Sequence, residues 1–428
     1  MEENQTSQEI EFIKEKVKER PLNRKKLIRR TLLTASMAVI FGLIACLTFL
    51  VLEPVFTNLL YPEEEPRQVQ LQEEDIEDEM RPEDMILEEE TQTQPVAEVV
   101  QPVVEKVELE MSDYQRLYRL MYGLVQETEK SMVTVVGVVT DMDWFDNIYE
   151  NQGQSAGLIV AENGVELLIL TDRDVVESAE SLAVVFSDET RVEGTVKSQD
   201  PQTGLAIVSV MLSGIPEKTR EGIQTAVLGS SGSSILATPV IAMGRPLGSG
   251  TSIIYGMVTS ADAKVNLVDH NVRRLTTDMV GDQHSSGVLV DLSGQVIGIL
   301  RPTEEGHEGE LLSAYSMADL RALIEKMSNG VRVAHLGVTG TDVPVSISEE
   351  LGVPLGAYVT QIQMDSPAME AGIQSGDVIT RLGETEIGSF TDYQESLMDL
   401  LPGNEVTVTV MRQGPEAYQE MLLEAVPE

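Results

Sequence analysis

The 428-residue chain is poor in several residue types. It holds one cysteine, one tryptophan and four histidines, and its 30 Lys and Arg face 71 Asp and Glu. Each shortage excludes something. Cys46 has no partner for an intrachain disulfide, and there is no cysteine cluster for a structural zinc. A formal net charge of −41 excludes nucleic acid as a partner, because phosphate contacts need clustered cations. Histidine chemistry has only His270, His284, His307 and His335 to draw on. Nothing in the pattern calls for a cofactor or a metal; the carboxylate runs lack the spacing of an EF-hand loop.

The residues that are present fall into segments, and the length alone suggests about three domain-sized units. Residues 32–52, "LLTASMAVIFGLIACLTFLVL", carry no charge. At about 1.5 Å per residue such a helix spans a hydrocarbon core of about 30 Å. Arg20, Arg24, Lys25, Lys26, Arg29 and Arg30 precede it, and "PEEEP" comes after it. The positive-inside rule puts residues 1–31 in the cytoplasm as a basic tail and the bulk of the chain outside, on a single-pass cell-membrane protein. A cleaved signal peptide is the alternative. Cys46 within the span reads as apolar filler. Residues 53–110 are acidic and Pro-rich with little to bury, which predicts a disordered stalk. Residues 111–130 predict a helix with Tyr114, Leu117, Leu120, Met121 and Leu124 on one face, docked on the next domain or used to oligomerise.

From residue 131 short apolar runs alternate with turn residues, as in "SMVTVVGVVT", "SAGLIVAENGVELLILT" and "SGVLVDLSGQVIGILR". This spacing predicts a β-barrel or sandwich, with "AENG" and "LSGQ" as hairpin turns. "AYSMADLRALIEKMSNG" predicts a closing helix that stops at Gly330. Trp144, in "DMDWFDN", reads as a packing anchor.

The blocks "LLILTDRDVV", "SQDPQTGLAIVSV", "VIAMGRPLGSG" and "HSSGVLVDLSGQVIGI", in that order, resemble the trypsin-like domain of HtrA-type serine proteases over residues 131–327. The resemblance implies two six-stranded barrels with a cleft between them. It also implies a Ser–His–Asp triad, in which histidine deprotonates serine and aspartate orients the imidazole. The family's Thr-Asn-x-His-Val-Val reads "TDRDVV" here, so Asp174 stands at the histidine position. Its Asp-Pro-x-Thr-Asp-Leu-Ala reads "DPQTGLA", so Gly204 stands at the aspartate position. Its Gly-Asn-Ser-Gly-Gly reads "QHSSG", which leaves Ser285 at the nucleophile position and puts Gln283 where an oxyanion-hole glycine belongs. Asp174 is a poor base for a serine, with an ordinary carboxylate pKa near 3.9. His284, if its segment is extended, points away from Ser285. His270 and His307 lie in loops without a partner pattern.

Residues 331–428 resemble a PDZ domain, most densely at "SPAMEAGIQSGDVI". Locally, "AMEAG" predicts a short helix ended by Gly372, "SFTDYQESLMDL" a helix capped by Ser389 or Thr391, and "EVTVTVMR" a strand. PDZ domains add an extended peptide as a strand and hold its terminal carboxylate on backbone amides. The resemblance places that loop at His335, Leu336, Gly337 and Val338. His335 either favours a carboxylate when protonated or is an ordinary loop histidine. Leu397 and Leu400 either line the side-chain pocket or belong to the core.

The expectation is thus a mainly β protein with an N-terminal transmembrane helix, a trypsin-like double β-barrel domain and a C-terminal α+β PDZ domain. It would be a membrane-anchored extracytoplasmic pseudoprotease that binds unfolded or C-terminal peptide segments, in envelope protein quality control or regulation. The family resemblance adds a homotrimer or assembly with active relatives. An active endopeptidase using Ser285 and a structural envelope scaffold are the alternatives.

Overall fold

A computed structural model of the chain describes residues 66–71, 110–142, 148–230, 235–302 and 311–428, together with Met37. Two compact units divide at Glu65 and Pro66. Of the first, Met37 alone is described and is helical, so the predicted basic tail and the rest of the predicted span 32–52, Cys46 included, lie outside the described residues. Trp144, His307 and most of the predicted stalk lie outside them as well. Among the described residues no helix is long and apolar enough to cross a membrane.

The second unit starts with a short extended strip and helix α1 (Met111–Thr128). Twelve strands come next, in two closed barrels. The first holds β1 (Met132–Met142), β2 (Ile148–Glu162), β3 (Glu166–Asp172), β4 (Ser181–Val185), β5 (Arg191–Asp200) and β6 (Leu205–Met211), in the order β1-β2-β3-β6-β5-β4. The short helix α2 (Arg173–Glu177) lies between β3 and β4, and α3 (Glu217–Gly222) lies in the link to the second barrel. The second holds β7 (Pro239–Arg245), β8 (Ser252–Leu267), β9 (His270–Val280), β10 (Ser286–Val290), β11 (Val296–Leu300) and β12 (Leu311–Ser316), in the order β10-β11-β12-β9-β8-β7. The two six-stranded barrels are those the family resemblance implies.

The continuous apolar runs have a simple cause. Side chains alternate across a strand, and here both faces are buried. Leu167 and Ile169 of β3 join the interior of the first barrel, while Leu168 and Leu170 join a core between the barrels. Leu289 of β10 faces the second barrel's interior, and Val288 and Val290 face the shared core. Each such side chain contributes roughly 1.5–3 kcal/mol. Helix α4 (Met317–Ser328) lays Met317, Leu320, Leu323, Ile324 and Met327 on the shared core, and Gly330 comes after it with φ +67°.

Two expectations need correction. The predicted stalk is ordered at residues 66–71, where Val69 is buried. Asn329 clasps it, accepting from Val69 N at 2.9 Å and donating to Val69 O at 3.0 Å. Leu71 N donates to Glu325 Oε2, and Arg67 N to Asn163 O. An acidic composition does not prevent order where two apolar residues meet a side chain that satisfies the backbone between them. Helix α1 docks mainly by its C-terminal half, through Met121, Leu124 and Val125, with Tyr118 set edge-on to Tyr255 of β8, whereas Tyr114, Leu117 and Leu120 are exposed.

The C-terminal domain is a six-stranded sheet of β13 (Val338–Asp342), β14 (Ala357–Ile362), β15 (Val378–Leu382), β16 (Thr385–Glu386), β17 (Val406–Gln413) and β18 (Tyr418–Ala425), with β13 at one edge. It carries α5 (Val345–Leu351), α6 (Pro367–Ala371) and α7 (Phe390–Met398). Gly372 ends α6 with φ +85°, and Ser389 caps α7 by accepting from Asp392 N.

The Asn329 clasp is testable. Asn329→Ala leaves Val69 N–H and C=O unpaired and should cost about 1–2 kcal/mol, read as a lower denaturant midpoint together with faster hydrogen exchange at the Val69 amide. An unchanged exchange rate at that amide would contradict the clasp.

Candidate functional site

Two regions carry the predicted site residues. The first surrounds the protease motifs. Asp174 lies exposed on α2. Its neighbour Asp172, the last residue of β3, is the carboxylate that faces inward. Asp172 accepts from the Ser155 hydroxyl and pairs with Arg301 Nη1 at 3.1 Å. Burial pushes the Asp172 carboxyl above the usual range, although Arg301 and Ser155 pull it down. The other arm of the Arg301 guanidinium donates to Gly204 O. A Cβ built on Gly204 would lie 2.8 Å from Arg301 Nη2. That guanidinium is the far end of a flexible side chain and can move, so what disfavours an aspartate at 204 is the left-handed backbone there, with φ +67°.

Ser285 and Ser286 are both buried. Ser285 Oγ donates to Pro246 O at 2.6 Å and accepts from Asp282 N at 2.8 Å. Ser286 Oγ accepts from Ala156 N at 3.1 Å, a bond between the barrels. The loop 282–285 closes on itself. His284 N donates to Asp282 Oδ1 at 2.9 Å, and Ser285 N to Asp282 O at 3.0 Å. The Ser285 amide, one of the two donors an oxyanion hole at this position would use, is therefore turned into the loop and not toward an external point. The His284 ring is exposed and its Nδ1 lies 3.2 Å from Asp282 Oδ1. It does face away from Ser285 chemistry, but because it sits on a turn and not, as expected, on an extended segment. Among the described residues no hydrogen bond or ion pair links Asp174 to Ser285. A groove of about 210 Å³ opens nearby, walled in part by Val133, Ala156, Phe186, Met243 and Arg245. None of Asp174, Gly204 and Ser285 contributes to its wall.

The second region is the predicted carboxylate loop. Leu336 N and Gly337 N donate to one oxygen of Asp269, at 2.8 and 2.7 Å, and Val338 N donates to the other at 2.9 Å. Tyr393 Oη, from α7, adds a fourth donor at 2.6 Å. Gly337 suits the loop twice over: its φ is +88°, and a Cβ there would run into Ser366. The loop thus holds the side-chain carboxylate of Asp269, at the tip of the β8–β9 hairpin. Hydrogen bonds to a charged group contribute roughly 1.5–3 kcal/mol each, which offsets the cost of burying Asp269 at 5% exposure. Burial and then the Asp269 charge drive the Tyr393 phenol well above its ordinary pKa, so it stays a donor.

His335 is half-buried between two carboxylates, with Nε2 3.5 Å from Asp200 Oδ1 and Nδ1 3.8 Å from Asp269 Oδ2. Asp200 opens the turn that ends at Gly204, and its other oxygen accepts from Thr203 N at 2.7 Å. Burial disfavours the charged imidazole, but Asp269, Asp200 and Glu428 outweigh it and hold the His335 pKa above 6.5. His335 is therefore more than a loop histidine. His270 also has a setting its sequence did not suggest: it is buried, with Nε2 3.3 Å from Gln394 Nε2. Burial lowers its pKa, with Asp200, Asp319 and Asp269 opposing. Leu397 is 2% exposed, part of the PDZ core, and lines a small cavity with His270 and His335.

Asp269, Tyr393 and Asp172 have no signal in the sequence that marks them as site residues. "LVDHN" draws notice for its histidine, and a lone aspartate at a hairpin tip has no local signature. Arg301, a charge directly after the buried strand "VIGIL", is the one visible cue.

Two closed barrels followed by a PDZ-like sheet define a class, and comparison with known proteins agrees. A trypsin-like peptidase domain matches residues 155–299 and a PDZ domain matches residues 324–420. The chain is 27% identical over 293 residues to the serine protease Do-like HtrA of Lactococcus lactis subsp. cremoris (strain MG1363), covering 63% of this chain and 70% of that one. It is 29% identical over 286 residues to a probable periplasmic serine endoprotease DegP-like of Ectopseudomonas mendocina (strain ymp), covering 65% of this chain and 58% of that one. Among solved structures, the HtrA-type protease AlgW with decapeptide aligns with a TM-score of 0.51 at 20% identity, over 72% of this chain and 97% of that one, a likeness of fold. The chain thus carries a trypsin-like peptidase domain followed by a PDZ domain, and it is similar to HtrA-type serine proteases over about two thirds of its length.

The histidines yield a signed prediction. His335 has a raised folded pKa, so its stabilising contribution is complete below 6.5 and is lost as pH rises through the folded value. His270 has a lowered one, so its contribution is complete above 6.5 and is lost as pH falls through the folded value. The stability advantage of the wild type over His335→Gln should be greatest in mild acid and shrink toward alkaline pH, measured by denaturation across that range. An advantage that grows with pH would contradict the assignment.

Proposed function

We propose that this chain is a membrane-anchored, extracytoplasmic member of its family that has lost proteolysis and works by binding peptide segments or protein C-termini through its PDZ domain. The observation that carries the reading is the fate of Ser285. At the nucleophile position implied by the family pattern, its hydroxyl is committed to Pro246 O and Asp282 N. Asp174 and Gly204 stand in the base and orienter positions. A serine with neither is a weak nucleophile, and what survives triad loss elsewhere, about 10³–10⁴-fold over water, depends on an intact oxyanion hole. Here the Ser285 amide, one of its donors, is spent on Asp282 O inside the turn.

Anchoring by residues 32–52 is part of the same reading, supported by the absence of charge in that run and the basic flank before it. The outward placement is supported by the periplasmic description of the DegP-like relative. Assembly as a homotrimer or with active relatives rests on the family, and the exposed Tyr114, Leu117 and Leu120 on α1 offer apolar surface for it. An active endopeptidase remains the competing reading because relatives are named serine proteases and Ser285 is retained.

A fluorophosphonate probe separates the two. The purified chain should take up no label at Ser285, whereas labelling that disappears in Ser285→Ala would overturn the silent reading. Restoring the sequence motifs should fail too. Asp174→His with Gly204→Asp should give no detectable casein cleavage, because position 204 has a left-handed backbone with φ +67° and the 282–285 turn is unchanged. Turnover by the double variant would contradict this.

A further inference from the structure

The loop of residues 335–338 is already filled, and its occupant comes from the same chain. Asp269 copies a peptide terminus in two respects. Its carboxylate takes the amides of Leu336, Gly337 and Val338, and its own N–H donates to Val338 O at 2.7 Å. Two residues on, Asn271 Nδ2 donates to Gly340 O at 3.2 Å, and Asn271 N donates to Gln394 Oε1 of α7 at 3.0 Å. Val338 and Gly340 are alternate residues of β13, the edge strand of the PDZ sheet. Such an edge is where an incoming strand would pair. The segment 269–271 therefore lies between β13 and α7, the position an added peptide strand would take. His270 fills the space beside Gln394, and only a small cavity of about 20 Å³ remains there.

We propose that the β8–β9 hairpin is an internal ligand of the PDZ groove, so that a peptide bearing a free C-terminal carboxylate binds by displacing Asp269. This rests on the reading of residues 335–338 as a carboxylate loop. Apparent affinity is then reduced by the fraction of molecules whose groove is open, and occupancy by a partner is tied to release of the PDZ domain from the second barrel. The link reaches further. His335 in that loop faces Asp200, which anchors the turn ending at Gly204. A displaced hairpin would free this contact as well.

The test is peptide binding by the full-length chain, using a random decapeptide pool with free C-termini and the same pool amidated, followed by fluorescence anisotropy with selected members. Asp269→Asn, which keeps the shape and removes the charge, should bind free-acid peptides at least about tenfold more tightly than wild type. Tyr393→Phe, which removes one donor to Asp269 and keeps the ring, should give a smaller gain of about two- to fivefold. Saturating peptide should also speed hydrogen exchange at the Asp269 amide of the wild type, a readout that no substitution can confound. Tight free-acid binding that is unchanged in Asp269→Asn, with the Asp269 amide still protected, would overturn the internal ligand and leave the carboxylate loop standing. No binding to either chain, or no preference for free acid over amide, would overturn the carboxylate-loop reading and this inference with it.

Discussion

A carboxylate at 5% exposure is costly unless donors surround it, and Asp269 is met by three amides and a phenol. That requirement organises the junction between the second barrel and the PDZ domain. It fixes the positive φ of Gly337, keeps Tyr393 protonated inside the core, and brings His335 against Asp200 and Asp269. Removing the carboxylate would leave three amides without acceptors, and removing the loop would leave a buried charge unpaired. Either loss exceeds what the contact itself contributes, which is why the two domains are joined at this point and not merely adjacent.

The protease-like region obeys a related logic. The residues around the family's reacting positions now form closed polar sets. Asp172, Arg301, Ser155 and the Gly204 carbonyl bond one another, with Arg301 Nε left over, and Asp282, Ser285 and Pro246 bond one another. Ser286 joins the barrels through Ala156 N. Catalytic groups must be left partly unsatisfied to act on something else. Groups whose hydrogen bonds are spent within the protein stabilise it, and on the proposed reading the double barrel has become the rigid support for a binding domain.

Much of this is legible in the sequence, for identifiable reasons. Short apolar runs such as "ELLILTD" and "SGVLV" between turn residues report strands, and their lack of internal alternation reports burial on both faces, which two adjoining barrels supply. Gly372 and Ser389 mark helix ends through local backbone needs. The amides of Leu336, Gly337 and Val338 hold the carboxylate of Asp269. The source of that carboxylate is not legible, because Asp269 lies 67 to 69 residues from the amides it binds and 124 from Tyr393. Arg301 reaches Gly204 across 97 residues. The clasp of Asn329 on Val69 spans 260, and no compositional argument about an acidic stalk finds it. Local chemistry announces itself in sequence; the partner of a buried charge does so only once the chain is folded.

The central claim is that the carboxylate loop is occupied in the absence of any peptide. Hydrogen exchange at the Leu336, Gly337 and Val338 amides, compared between the peptide-free wild type and Asp269→Asn, measures this directly. Strong protection in the wild type that falls by about tenfold or more in the variant is the expected result, since the acceptor is then a neutral amide. Fast exchange at all three amides in the peptide-free wild type would contradict it.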